Sequence, residues 1–263
     1  MILEDFHVHT TWCDGKDEAE TIVKRAVELG MTRLGFSGHA HTPCDESYCM
    51  SPEDTLLYRR EIESLRVKYA DRIAILCGLE LDMFSDTLAD DFDYAIGSMH
   101  YLKFDDEYVP VDESPRTLRD AAQKYCGGDM LALAEKYYEQ EADVISRTHA
   151  DLIGHFDLIT KYNEKNALFD EESPRYLDAA FSALDALLET GRPFEVNTGA
   201  ISRGYRSRPY PALPLLRRIA QKGGRVVLSS DSHSAKTLCA HFAEATALCE
   251  SVGLKPEPFR VWE

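Results

Sequence analysis

His7 and His9 stand two residues apart near the start of the chain, and Asp231 and His233 stand two apart near its end. Each pair follows a short apolar run that reads as a β-strand. Side chains two apart on a strand share a face, so each pair aims imidazole or carboxylate groups to one side of a strand end. Such groups directed into a common space form the donor set of a catalytic divalent metal. His39, Glu80, His100, His155 and Asn197 each close a further apolar run. Taken singly, each has a plainer reading: a lone histidine is usually a satisfied polar residue, and a carboxylate after a strand is often a helix cap or turn. Their recurrence at successive run ends carries the inference. With Asp14, in the loop after the first run, the candidate donors are His7, His9, Asp14, His39, Glu80, His100, His155, Asp231 and His233. That is more than one ion uses, so a multinuclear site is expected, with Glu80 or Asp231 as a bridge. Histidines with carboxylates and no cysteine suit Zn, Mn or Fe better than Mg or Ca.

The elements that must position these groups are legible as an alternation. Strand-like runs fall at 2–9, 33–39, 73–80, 94–100, 151–155, 193–197 and 225–231. Most are continuously apolar, as parallel strands buried on both faces are. Amphipathic helical patterns lie between them. Residues 18–29 carry Ala19, Ile22, Val23, Ala26 and Leu29 on one face before Gly30. Ser51-Pro52 and Ser173-Pro174 each read as a helix N-cap followed by proline at the first helical position. A further helix around 213–220 stops at Gly223-Gly224. Strand and helix alternating without a linker predict a single α/β domain over 1–263, with a parallel sheet. Seven units suggest a barrel or an incomplete barrel, whose C-terminal strand ends form the active-site face. A doubly wound sheet is the weaker alternative, because no glycine-rich phosphate-binding turn follows the first strand. The long stretch 101–148 reads as a largely helical, charged insertion able to overhang the site.

Composition narrows the partners. With 46 acidic and 29 basic residues the formal charge is −17, which argues against nucleic acid. Bound cations would offset part of that excess, and a small phosphorylated substrate remains compatible with it. No apolar stretch approaches the roughly 20 residues of a membrane span, and no secretory leader pattern opens the chain. No membrane association and a cytoplasmic location are therefore expected. Seven cysteines, without any Cys-x-x-Cys pair, suggest neither a zinc ribbon nor a redox motif. The sequence carries no signal for oligomeric state.

His7-x-His9, Ser37-Gly38-His39, Gly78-Leu79-Glu80, Gly97-Ser98-Met99-His100, Gly154-His155 and Asp231-Ser232-His233 follow one another in this order. In that order they resemble the motifs of the polymerase and histidinol phosphatase (PHP) family of metal-dependent phosphoesterases. Gly154-His155-Phe156-Asp157 and Glu195-Val196-Asn197-Thr198 further resemble the monofunctional histidinol-phosphatases within it. The resemblance implies a distorted (β/α)7 barrel holding three divalent transition metal ions. It implies that His7, His9, Glu80 and Asp231 hold the first ion, and that Glu80 bridges to a second completed by His100 and His155. His39 and His233 would hold the third. Many family members add a histidine from the loop after the first strand, where this chain offers Asp14.

The implied reaction is hydrolysis of L-histidinol phosphate, with a metal-bridging hydroxide as nucleophile. Arg203 and Lys161 are the candidate phosphate contacts, and Arg206 and Arg208 lie in the same loop as Arg203. Asp231 or His41 could return a proton to the leaving alcohol. His41, two beyond His39, is either a substrate contact or a loop residue. Two other readings compete: a PHP phosphoesterase acting on other small phosphate esters or nucleotides, and a non-catalytic metal-binding module. The latter predicts gaps among the donors.

Overall fold

A computed structural model describes residues 3–260 of the 263-residue chain. Residue 2, at which the first predicted strand begins, lies outside them. The strands are β1 (Glu4–Asp5), β2 (Arg33–His39), β3 (Ala74–Asp82), β4 (Tyr94–Ser98), β5 (Tyr101–Phe104), β6 (Glu107–Pro110), β7 (Leu152–Ile153), β8 (Phe194–Asn197) and β9 (Val226–Ser229). The helices are α1 (Ala19–Glu28), α2 (Pro52–Lys68), α3 (Pro115–Tyr125), α4 (Met130–Glu141), α5 (Val144–Thr148), α6 (Asn163–Asn166), α7 (Pro174–Leu188), α8 (Gly199–Ser202), α9 (Leu213–Gln221) and α10 (Phe242–Ser251).

Seven strands form one parallel sheet in the order β1-β2-β3-β4-β7-β8-β9. Its two edges meet. Just beyond β1 and β9, Val8 and Ser232 form a parallel bridge, with His9 N donating to Ser232 O at 2.8 Å and Ser232 N to His7 O at 3.0 Å. The result is a distorted (β/α)7 barrel, as the alternation predicts. All seven strands run the same way, so the candidate donors at their C-terminal ends gather at one mouth.

Local chemistry explains the elements. The Ser51 hydroxyl accepts from Asp54 N and the Ser173 hydroxyl from Tyr176 N, capping α2 and α7 ahead of prolines whose missing N–H costs nothing there. In α1, Ala19, Ile22, Val23 and Ala26 are buried in the main hydrophobic core. Among the described residues no helix is long and apolar enough to cross a membrane.

The barrel interior is filled by Phe6, Tyr94, Ile96, Leu152, Val227 and Phe259. The Tyr94 hydroxyl crosses it to within 2.6 Å of Phe6 O and 2.9 Å of Phe36 O. A Cβ at Gly78 would stand 2.5 Å from the Tyr94 ring, so glycine is needed for that crossing. At the end opposite the donors the C-terminal tail closes the barrel. Glu257 N donates to Val226 O at 3.0 Å, Phe259 N to Glu4 Oε1 at 2.9 Å, and Arg33 Nη1 to Phe259 O at 2.6 Å.

Within the stretch 101–148, helices α3, α4 and α5 are preceded by a segment that the helical reading does not anticipate. Residues Tyr101–Phe104 and Glu107–Pro110 form an antiparallel hairpin, turned at Asp105 with a left-handed φ of 52°. Aspartate tolerates that conformation better than most residues. Phe104 stacks on Tyr125 of α3 with ring centroids 4.1 Å apart, holding the hairpin to the helices that follow.

Candidate metal centre

Strand geometry delivers the donors. β2 ends in His39, and in register beside it β3 carries Glu80. His100 and His155 stand two residues beyond β4 and β7, and Asp231 two beyond β9. Glu80 is the centre of the arrangement. Its Oε2 lies 3.0 Å from His7 Nε2, 3.1 Å from His39 Nδ1 and 3.4 Å from His9 Nε2. Its Oε1 lies 3.0 Å from His155 Nε2 and 3.4 Å from His100 Nε2. The two oxygens thus serve two sets of histidines, the geometry of a bridging carboxylate. Asp231 Oδ1 lies 3.5 Å from His9 Nε2, 3.4 Å from His233 Nδ1 and 3.7 Å from His7 Nε2. Asp14 Oδ2 lies 3.0 Å from His233 Nε2, and Oδ1 3.7 Å from both His9 Nδ1 and His39 Nε2.

Four overlapping groups have donor atoms within 4.8 Å of one another: His7/His9/Asp231, His7/Glu80/His155, His39/Glu80/His100 and His9/Asp14/His39/His233. Between them they contain every predicted donor. The fit to divalent metal is supported by orphaned atoms. His7 Nε2 and His9 Nε2 are buried with no hydrogen-bond partner among the described residues. A polar atom left so costs about 1–3 kcal/mol, and a cation among these carboxylates would satisfy it.

The electrostatics are those of ionised carboxylates that draw protons onto the neighbouring rings: against burial, Glu195 and Glu80 hold His7 well above the ordinary imidazole value, and Glu80 and Asp82 raise His100 to about 9. Burial alone would raise Glu80, but His7, His39 and His100 hold its carboxyl well below the usual range. Burial opposes ionisation of Asp231 too, and Arg203 and His7 overcome it. Burial lowers His39 to about 3 against the pull of Glu80, so this ring is a neutral donor at neutral pH. Deprotonated carboxylates and neutral imidazoles are the forms that ligate.

A cavity of about 390 Å³ opens over the centre, lined by Asp14, His39, Glu80, His100, His155, Asp231 and His233 together with Lys161 and Arg203. Fully buried His7 and His9 do not line it. Arg203 Nη2 donates to Asp231 Oδ2 at 2.7 Å, and Nη1 to Asp231 O at 2.8 Å. Lys161 Nζ donates to Asp112 Oδ2 at 3.0 Å.

Other candidates stand elsewhere. His41 does not line the cavity; its ring lies 2.8 Å from Asp86 and 3.4 Å from Glu46. The chain leaves strand geometry after His39, so the two-residue spacing no longer sets a common face. Arg206 is buried, donating to Thr160 O at 2.9 Å and pairing with Glu171. Arg208 lines a separate cavity. Asn197 joins none of the donor groups; its Nδ2 donates to Glu195 Oε2 at 2.9 Å and lies 3.3 Å from Asp231 Oδ2.

Residues that the spacing argument passes over complete the site. Glu195 is fully buried 2.5 Å from His7 Nδ1. Asp82 Oδ2 accepts from His100 N at 2.7 Å and lies 3.3 Å from His100 Nδ1. Glu195 stands inside β8 two residues before Asn197, and Asp82 closes β3 two residues beyond Glu80; that same-face spacing is the signal that could have found them. Asp45, Tyr48, Asp112 and Tyr205 complete the outer wall.

Residues 5–199 match the PHP domain family model. The chain is 27% identical to the histidinol-phosphatase of Bacillus subtilis, over 89% of this chain and 95% of that protein. It is 24% identical to the histidinol-phosphatase of Lactococcus lactis, over 95% and 91% of the two chains. Its fold is like that of the Lactococcus lactis histidinol phosphate phosphatase solved with zinc, L-histidinol and phosphate. There the TM-score is 0.76 at 21% identity, covering 97% of this chain and 95% of the other. With three quarters of its length inside one family model, and the motifs of that family converging on one barrel mouth, the chain belongs to the PHP domain family.

Proposed function

We propose that this chain is a divalent-metal-dependent phosphomonoesterase that hydrolyses L-histidinol phosphate to L-histidinol and inorganic phosphate. The observation that carries this reading is the convergence of every predicted donor on one centre, with Arg203 and Lys161 lining the cavity above it, in a PHP-family chain. Its near-full-length relatives are named for that reaction. One domain over 1–263 carries the reaction, and the 101–148 segment contributes Pro110, Asp112 and Glu113 to the cavity wall.

Three ions, Zn, Mn or Fe, fit the donor set. His7, His9, Glu80 and Asp231 would hold the first; Glu80, His100 and His155 would hold the second; His39, His233 and Asp14 would hold the third. When bound, such ions neutralise phosphoryl oxygens and acidify water. The chain's own groups do the rest. Arg203 and Lys161 face the phosphoryl group and orient it. Asp231 Oδ2, turned to Arg203 rather than to the histidines, takes a proton from the attacking water as its oxygen bonds to phosphorus. It returns that proton to the alkoxide as the phosphorus–oxygen ester bond breaks, which gives His41 no role in the step. The test is phosphate release from a panel of phosphomonoesters by metal-loaded protein. Histidinol phosphate should lead the panel, and Asp231→Asn should lower kcat by roughly 10²–10⁴-fold. Equal efficiency across the panel would overturn the substrate; unchanged turnover in Asp231→Asn would overturn the mechanism.

A further inference from the structure

We infer that Glu195 is a positioning residue of the metal centre, whose carboxylate fixes a proton on His7 Nδ1 and so turns the Nε2 lone pair toward the metal. The inference rests on reading the site as a metal centre and is independent of the substrate.

Glu195 lies on β8 with its side chain fully buried, and its other hydrogen-bond partners, the Ser229 hydroxyl, His155 N and Asn197 Nδ2, all donate to it. Oε1 is 2.5 Å from His7 Nδ1 and also accepts from the Ser229 hydroxyl. Oε2 accepts from His155 N at 2.8 Å and Asn197 Nδ2 at 2.9 Å. A carboxylate surrounded by donors can only accept, so the proton between Glu195 and His7 belongs to the ring nitrogen. A neutral His7 is then protonated on Nδ1, and its lone pair stands on Nε2. That is the buried, partnerless atom 3.0 Å from Glu80 Oε2. The same carboxylate sets the backbone of a second candidate donor, His155. Through Asn197 Nδ2, which lies 3.3 Å from Asp231 Oδ2, it reaches a third. Glu195 therefore touches no cavity space, yet contacts the donors that follow β1 and β7 directly and the one after β9 through a single amide. Carboxylates behind ligating histidines typically raise metal affinity by about 10–100-fold.

A plain structural role, tying β8 to β1 and β9, predicts something else. The test compares Glu195→Gln with Ser229→Ala, which removes a partner of the same carboxylate without touching a donor. Zinc affinity is read on the folded proteins by chelator competition, and Tm on the metal-free proteins. Glu195→Gln should bind zinc about 10–100-fold more weakly in the ions that use His7, whereas Ser229→Ala should stay within about threefold of wild type whatever its Tm. Affinity unchanged in Glu195→Gln, or lost equally in Ser229→Ala, would overturn the assignment. Should Glu195→Gln fail to fold, ring-nitrogen NMR of the zinc-loaded wild type decides. A proton on Nδ1 and metal on Nε2 of His7 is expected, and the reverse overturns it. A wild-type protein holding no stoichiometric metal would overturn the metal centre along with this assignment, while a failed substrate panel would leave both standing.

Discussion

The backbone of Asp231 sits at φ 46°, in the left-handed region that costs a non-glycine residue about 1–2 kcal/mol. That turn brings its carboxylate back toward the histidines, and Gly199 lies directly against it. A Cβ at Gly199 would stand 2.8 Å from Asp231 Oδ2 and from Arg203 Nη2. Gly199→Ala should therefore lower phosphate release at least about tenfold and lower Tm as well, because the new methyl group also meets Asp231 Cβ at 2.8 Å, which cannot swing away as a side-chain tip can. Steady-state kinetics beside a thermal melt checks both halves. Glu141 makes a second prediction. Burial raises its carboxyl well above the usual range, Asp82 and Asp157 push the same way, and Oε2 has no partner among the described residues. The unfolded chain releases this proton near 4.5, whereas the folded chain keeps it. The folded state thus binds more protons at neutral pH, and its stability falls as pH rises. Glu141→Gln should be more stable than wild type at about pH 8, with the gap closing toward about pH 4, in denaturant melts across that range. The donors were legible in the sequence because strand ends mark them. Glu195 and Asp82 were less so, since the contacts that give them meaning join segments with no fixed spacing between them.

At the level of elements, the seven barrel strands could be read from apolar runs because both faces of a parallel strand are buried. The hairpin at 101–110 could not: Tyr101 and Leu102 are both buried while Lys103 is exposed, so no clean alternation marks it. The tail was equally opaque, because its order comes from tertiary contact and not from local propensity. Phe259, 1% exposed, packs on Phe6 and Tyr94 with centroids 5.0 and 5.3 Å away. Phe259→Ala should cost about 3–5 kcal/mol, the usual range for a buried phenylalanine. A urea titration should show the midpoint shift, and phosphate release at low denaturant should be largely retained, since the tail lies at the end opposite the donors.

For the whole molecule, the formal charge of −17 is not spread evenly in its consequences. Buried Glu80, Asp231 and Glu195 are held ionised against burial by neighbouring histidines and Arg203, and cations bound among them would stabilise the folded state further by mass action. Chelation should lower Tm by roughly 5–10 °C at metal concentrations that previously saturated the sites, and added zinc or manganese should restore it. Calorimetry with and without chelator measures this directly; a Tm indifferent to metal would contradict the centre. The seam between β1 and β9, bridged by Val8 and Ser232 and laced below by Phe259, also sets the order of events during synthesis. β1 leaves the ribosome before β9 and must wait, with an open edge, for it. Asp231, His233 and the closing phenylalanine all follow β9, so the barrel and its metal-holding mouth can be completed only after that strand has emerged.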